Sequence, residues 1–198
     1  ETYTFNLHIY HNRSHNIHKT MSVDHVRGGF IYYYGNRITS DNDSWSNSIS
    51  TSFWKVYGAG TSNLSYPLYA FNNSFNGISF STSSGQNVTR NRAYKNGQYG
   101  FELASSSSRS TVSGNTAYDN TFSGFNVDSS AYNNLTNNTC SNNAYGIYLS
   151  GSSGNILTLN HLLTNNANGR DNSINAWDNN GKGNYWSNWQ PPNHSDAN

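Results

Sequence analysis

Apolar residues in this chain come in short alternating runs, without the i, i+3, i+4 spacing of an amphipathic helix. Four stretches carry the pattern most plainly: VTRNRAYKNGQYGFEL (88–103), VSGNTAYDNTFSGFNV (112–127), LTNNTCSNNAYGIYL (135–149) and LTLNHLLTNNANG (157–169). Each reads apolar, Ser or Thr, any residue, Asn, any, small or apolar, two spacers, Asn, a short gap, Gly, and then apolar residues at alternate places. The leading Asn recurs at Asn91, Asn115, Asn138 and Asn160, in steps of 24, 23 and 22 residues. The second Asn recurs at Asn96, Asn120, Asn143 and Asn165, and the glycine at Gly100, Gly124, Gly146 and Gly169, with Gly77 one period earlier.

A period near two dozen residues holding three short alternating segments predicts a parallel β-helix. A leucine-rich repeat has a similar period but needs a leucine frame that is absent here. One turn buries too little apolar surface to be stable alone, so the turns must stack. Stacking predicts columns of Phe101, Phe125 and Ile147, of Leu103, Val127 and Leu149, and of Ala93, Ala117, Cys140 and Leu162. Asn is expected at the bends because it tolerates the left-handed conformation and bonds nearby backbone, and its amides can bond along the axis. Gly at the third corner is expected to relieve the same backbone constraint.

The frame extends towards the start of the chain. Gly29 precedes Phe30 and Tyr32, two periods before Gly77, and the turn between them is expected around Phe53, Trp54 and Val56, with Phe53 in the glycine's place. Residues 6–16 look like part of a still earlier turn. The expected fold is thus all-β: a right-handed, single-stranded parallel β-helix of about seven rungs of 22–24 residues, without a domain boundary over 1–198. Residues 1–64 form irregular early rungs, 65–170 the regular repeats, and 171–198 a terminal segment in which Trp177, Tyr185, Trp186 and Trp189 cap the open end.

Composition narrows the function. The net charge of +1 gives no basic footprint for nucleic acid, and no apolar run is long enough to span a bilayer. Hydrophobic residues make up only 33%, yet 15 Tyr, 9 Phe and 5 Trp argue for order. Cys140 is the only cysteine, which excludes an internal disulfide. Eight Asn-X-Ser/Thr sequons, at Asn12, Asn42, Asn63, Asn72, Asn87, Asn134, Asn137 and Asn193, suggest an extracellular glycoprotein.

The unit N-x-A-x-x-N-x-x-x-G-F-x-V resembles the repeats of the NosD-like group, the CASH type of carbohydrate-binding proteins and sugar hydrolases. The terminal stretch NAWDNNGKGNYWSNW (175–189) resembles that group's end through Asn175, Ala176, Asp178, Gly183, Asn184, Tyr185, Trp186, Ser187 and Trp189. The resemblance implies the right-handed β-helix, a saccharide ligand or, as in NosD, copper handling. Its members usually continue into an acidic stretch like a calcium loop. The chain is therefore expected to be a fragment of a longer secreted protein, with calcium bound only in the missing extension and no cofactor of its own.

Candidate chemistry is sparse. A lyase or epimerase needs a base, an acid and a cation to neutralise a uronate. Asp24, His25 and Arg27 are the nearest approach, but alternation puts Asp24 and His25 on opposite faces. Glu102 and Asp128 fall close together in the repeat, with Asn126 in the place matching Glu102, and both acids are expected to be solvated surface. His8, His11, His15 and His18 contain metal-ligand residue types, but their spacing does not converge on a strand. Outward tyrosines, namely Tyr33, Tyr99, Tyr118, Tyr145 and Tyr148, suit sugar stacking or partner contacts. Asn91, Asn115, Asn138, Asn160, Asn96, Asn120 and Asn143, with Gly77, Gly100, Gly124 and Gly146, are assigned to the structural ladder.

These features favour a non-enzymatic structural or adhesive surface module that self-associates or contacts other surface proteins in a filament, sheath, surface layer or fibre. The alternatives are a carbohydrate-binding or polysaccharide-processing β-helix, and a NosD-like periplasmic metal-handling protein.

Overall fold

The computed structural model describes the backbone of residues 6–10, 13–14, 22–24, 30–34, 37–39, 49–52, 61–64, 69–71, 76–82 and 84–187, and the side chains from residue 70 onward within those ranges. Every regular element among the described residues is a β-strand, and every strand pairing is parallel. The strands form three sheets. The first runs through Asn6–Tyr10, Phe30–Tyr34, Thr61–Leu64, Asn87–Thr89, Thr111–Ser113, Asn134–Thr136 and Ile156–Thr158. The second runs through Arg13–Ser14, Arg37–Thr39, Tyr69–Phe71, Arg92–Tyr94, Thr116–Tyr118, Thr139–Ser141, His161–Leu163 and Tyr185–Trp186. The third runs through Ser22–Asp24, Ile49–Ser52, Ile78–Ser81, Phe101–Ala104, Ser123–Asp128, Tyr145–Ser150 and Ala167–Asp171. Sequential strands fall in different sheets and return to the same sheet one turn later, which makes the chain a parallel β-solenoid.

The core is thin and columnar. Val88, Val112, Leu135 and Leu157 fill it from the first sheet, Ala70, Ala93, Ala117, Cys140 and Leu162 from the second, and Phe80, Leu103, Val127 and Leu149 from the third. Phe101 lies flat on Phe125, ring centres 4.7 Å apart. Small residues on the second sheet leave room for these rings.

Polar side chains complete the interior. Asn115 Nδ2 donates to Asn138 Oδ1 at 3.0 Å, Asn138 Nδ2 to Asn160 Oδ1 at 3.0 Å, and Asn160 Nδ2 to Asn184 Oδ1 at 2.9 Å. Each Oδ1 also accepts the backbone N–H of the preceding turn's asparagine, as Asn138 Oδ1 does from Asn115 N at 3.0 Å. Each Nδ2 also reaches back to a carbonyl, as Asn138 Nδ2 does to Val112 O at 2.9 Å. Asn96, Asn120, Asn143 and Asn165 form a second such stack. Two further stacks escape the sequence template: Ser110–Asn133–Asn155–Asn175, and the hydroxyl series Ser107–Ser130–Ser152–Ser173. The terminal Asn175 and Asn184 thus continue two of the stacks.

The structure corrects several expectations. The stacked asparagines do not take the left-handed conformation. The residue before each of them does: Arg90, Lys95, Asp119, Asn137, Asn142, Leu159 and Thr164 all have φ between 51° and 57°, and Gly114 has φ of 63°. That preceding residue turns the corner, which points the Asn side chain inward, where its amide bonds the next turn. The corner glycines are required by space and not by φ. A Cβ on Gly124 would stand 2.8 Å from the Gly146 carbonyl oxygen and 3.1 Å from Asn143 Nδ2. Gly169 is one place out of the glycine column. It pairs with Ile147, where a Cβ would come within 2.9 Å of both Trp177 and Trp186. Those two rings lie 5.2 Å apart and pack on the core, and Asp171 accepts the Trp177 indole N–H at 3.0 Å.

The early frame also shifts. Phe30–Tyr34 joins the first sheet, pairing with Asn6–Tyr10 and Thr61–Leu64, and not the sheet of Ile78. The partner of Ile78 is Ile49, and Phe53 lies outside the described residues. Alternation marks a strand but not its sheet, and the turn from Phe30 to its partner Thr61 is longer than the later ones. Tyr33 falls at the register position of Leu64 and Val88, on a strand whose side chains are not described.

Two pairs of substitutions test this account. Asn138→Ala strips partners from the Asn115 N–H and the Val112 carbonyl, and should cost about 3 kcal/mol in urea unfolding, whereas exposed Asn134→Ala should change little. Gly124→Ala should cost roughly 2 kcal/mol by forcing adjacent turns apart, and Gly114→Ala about 1 kcal/mol through its backbone conformation alone.

Candidate functional site: a carboxylate and aromatic strip on the third sheet

On the third sheet, register sets Ser79, Glu102, Asn126, Tyr148 and Arg170 in one line along the axis. These are the alternate positions to the core column of Phe80, Leu103, Val127 and Leu149, so they project away from the interior. Beside them, just before the corner glycines, stand Asn76, Tyr99, Ser123 and Tyr145, with Ser123 paired to Tyr145.

Glu102 is not plain solvated surface, contrary to the sequence expectation. One of its oxygens accepts Asn76 Nδ2 at 2.7 Å and Ser79 Oγ at 2.6 Å, and Asn126 bonds it too. Burial pushes its carboxyl above the ordinary value and the Asp128 charge adds to this, while the hydrogen bonds from Ser79 and Asn126 act the other way. Tyr99 is raised as well, through burial and then the Glu102 and Asp128 charges.

Aromatic rings cover the strip. Tyr99 meets Phe122 edge-on at 5.8 Å, and Phe122, 45% exposed, reaches Tyr145 at 5.9 Å. Tyr145 stacks with Tyr148 at 5.4 Å. The exposed Arg170 guanidinium lies 5.7 Å from the Tyr145 ring centre and 5.3 Å from that of Tyr148, and donates to the Tyr145 hydroxyl at 3.1 Å. The buried Ser123 hydroxyl, on the strand paired with Tyr145, has no hydrogen-bond partner among the described residues. Aromatic faces beside carboxyl, amide and hydroxyl groups suit a polyol ring, which offers C–H faces for stacking and hydroxyls for hydrogen bonds.

Of the tyrosines expected to point outward, the structure brings together Tyr99, Tyr145 and Tyr148. Tyr118 lies on the second sheet, stacked on Tyr94 at 4.7 Å, and Tyr33 is on the first. Asp24 ends a third-sheet strand at the register position of Ser52 and Ser81, while His25 and Arg27 lie outside the described residues. Asn87, Asn134 and Asn137 are exposed, Asn63 lies on a strand whose side chains are not described, and Asn12, Asn42, Asn72 and Asn193 lie outside, as does Trp189. Sequence reasoning missed Phe122, Ser123 and Arg170. Arg170 could have been found by extending the Glu102 register by three repeats.

The sequence profile described as periplasmic copper-binding protein (NosD) matches residues 2–191. The chain belongs to the NosD family. Among solved structures, this NosD-family chain is similar to a mutant of the periplasmic alginate epimerase AlgG, at 18% identity and a TM-score of 0.56, covering 78% of this chain and 36% of that one. It is also similar to the A-module of the Azotobacter vinelandii mannuronan C-5 epimerase AlgE4, at 16% identity and a TM-score of 0.39, covering 78% and 59%. The chain thus spans about a third of AlgG, and the likeness shows a shared fold. No curated protein matches the sequence.

The family description names copper, but the described residues do not fit it. No three His, Cys, Asp or Glu side chains gather among them, burial pushes the Cys140 thiol well up, and His161 stands 5.8 Å from the Tyr185 ring. His8 is on a first-sheet strand whose side chains are not described, and His11, His15 and His18 lie outside the described residues.

Because the Glu102 carboxyl is raised, the folded chain holds that proton more tightly than the unfolded one. Stability should therefore fall as pH rises from the ordinary glutamate value to the raised one, and level off above it. Glu102→Gln should remove that part of the pH dependence, read from urea midpoints across the acid range.

Proposed function

We propose that this chain is a saccharide-binding β-helix protein of the periplasmic or extracellular space, and that the third-sheet strip is its binding face. The observation that carries the reading is the row of ring contacts among Tyr99, Phe122, Tyr145 and Tyr148 beside the hydrogen-bonded Glu102 on one sheet of the solenoid. A flat, ridged sheet with rings on successive turns fits a linear saccharide laid along it. The family description, which is periplasmic, and a fold shared with an epimerase named for alginate support this reading over a purely structural surface module.

Affinity electrophoresis of the purified chain through gels containing neutral, mixed and acidic polysaccharides tests the proposal. At least one polymer should retard migration. Tyr148→Ala should weaken that binding about tenfold, and Thr116→Ala on the second sheet should leave it unchanged. Retardation by no polymer, or full binding by Tyr148→Ala, overturns the reading.

A further inference from the structure

We propose that the ligand carries a carboxylate at its Arg170 end and an uncharged sugar over Glu102, so that the strip selects a saccharide with a single acidic residue over a uniformly acidic polymer. The inference rests on the saccharide reading above and adds the charge pattern of the ligand.

Glu102, Asn126, Tyr148 and Arg170 are register partners on four successive strands. Strand spacing of about 4.8 Å separates the backbones of Glu102 and Arg170 by about 14 Å, the span of a short oligosaccharide. The two ends differ in charge. Around Glu102 the neighbouring charge is Asp128, and the amide and hydroxyl donors of Asn76 and Ser79 already bond the glutamate. A ligand carboxylate there would face two acids and find those donors occupied.

Arg170 presents the opposite environment. One of its five N–H groups is used, towards the Tyr145 hydroxyl, and it forms no ion pair with a carboxylate among the described residues. The adjacent Asp171 is committed instead to Ser173 N, Asn175 Nδ2 and Trp177 Nε1. Two tyrosine faces hold the guanidinium in place, which reduces the ordering cost of binding. A planar fork with free donors matches a carboxylate in a way that an ammonium does not.

Isothermal titration of the purified chain with three tetrasaccharides tests this: cellotetraose, a glucose tetrasaccharide ending in one glucuronate, and tetragalacturonate. The single-uronate sugar should bind about tenfold more tightly than cellotetraose. Arg170→Gln should abolish that advantage, and Arg170→Lys should restore only part of it. Tetragalacturonate should bind more weakly than the single-uronate sugar, and Glu102→Gln should narrow that gap. Arg170 is exposed, so unchanged thermal melting of its variants serves as the folding control. The inference is overturned if Arg170→Gln leaves the ratio unaltered, if cellotetraose matches the single-uronate sugar, if tetragalacturonate binds as tightly, or if none of the three binds. The saccharide reading stands apart from these outcomes and is decided by the polysaccharide gels and the Tyr148→Ala variant.

Discussion

Between one turn and the next, a buried asparagine amide accepts two N–H groups and donates to two carbonyl-type oxygens. Asn138 does all of this within 3.0 Å, bonding Asn115, Asn160 and Val112. A buried polar group costs stability unless it is paired, so each amide demands an identical amide above and below it. That demand locks register along the axis. The corner conformation one residue earlier, the glycines that let adjacent turns close up, and the stacked Phe101 and Phe125 rings all depend on that register. A chain with a modest hydrophobic content can therefore still pack a continuous interior.

The same locking organises the surface. When side chains stack at each position, a change at one turn is placed beside its counterparts on the next. Glu102, Asn126, Tyr148 and Arg170 are four answers to one position in the template. The scaffold keeps the line straight, and the side chains vary the chemistry along it. The fold is shared with a periplasmic alginate epimerase at 18% identity, so function has to be argued from the residues of the strip and not from the fold.

The strip combines aromatic faces, a crowded carboxyl and an exposed cation. Glu102 is heavily hydrogen-bonded and carries a raised carboxyl pKa, Tyr99 is raised further from neutrality, and Arg170 rests on tyrosine faces. Copper chemistry has no support in the described donor set, because Cys140 is sealed within the amide and apolar columns and His161 lies beside a tyrosine.

The sequence alone determined the solenoid, the period and the core columns, because spacing in the chain becomes stacking in space once the turns are parallel. Asn91, Asn115, Asn138 and Asn160 declared themselves by recurrence. What recurrence cannot express is which sheet a short alternating run will join, and so Phe30–Tyr34 was assigned to the wrong sheet where the turns are uneven. Nor could it pick out the residue that turns the corner before each stacked Asn, since that position holds Arg90, Gly114, Asn137 and Leu159 in successive turns and shares no residue type. The environment of Glu102 was decided only by tertiary structure: its partners Asn76, Ser79 and Asn126 come from the turns on either side, and burial and charge depend on that three-dimensional crowding. Arg170 and Phe122 belong to the same class. A template keeps what repeats, and a binding face is built from the positions where the repeat is broken.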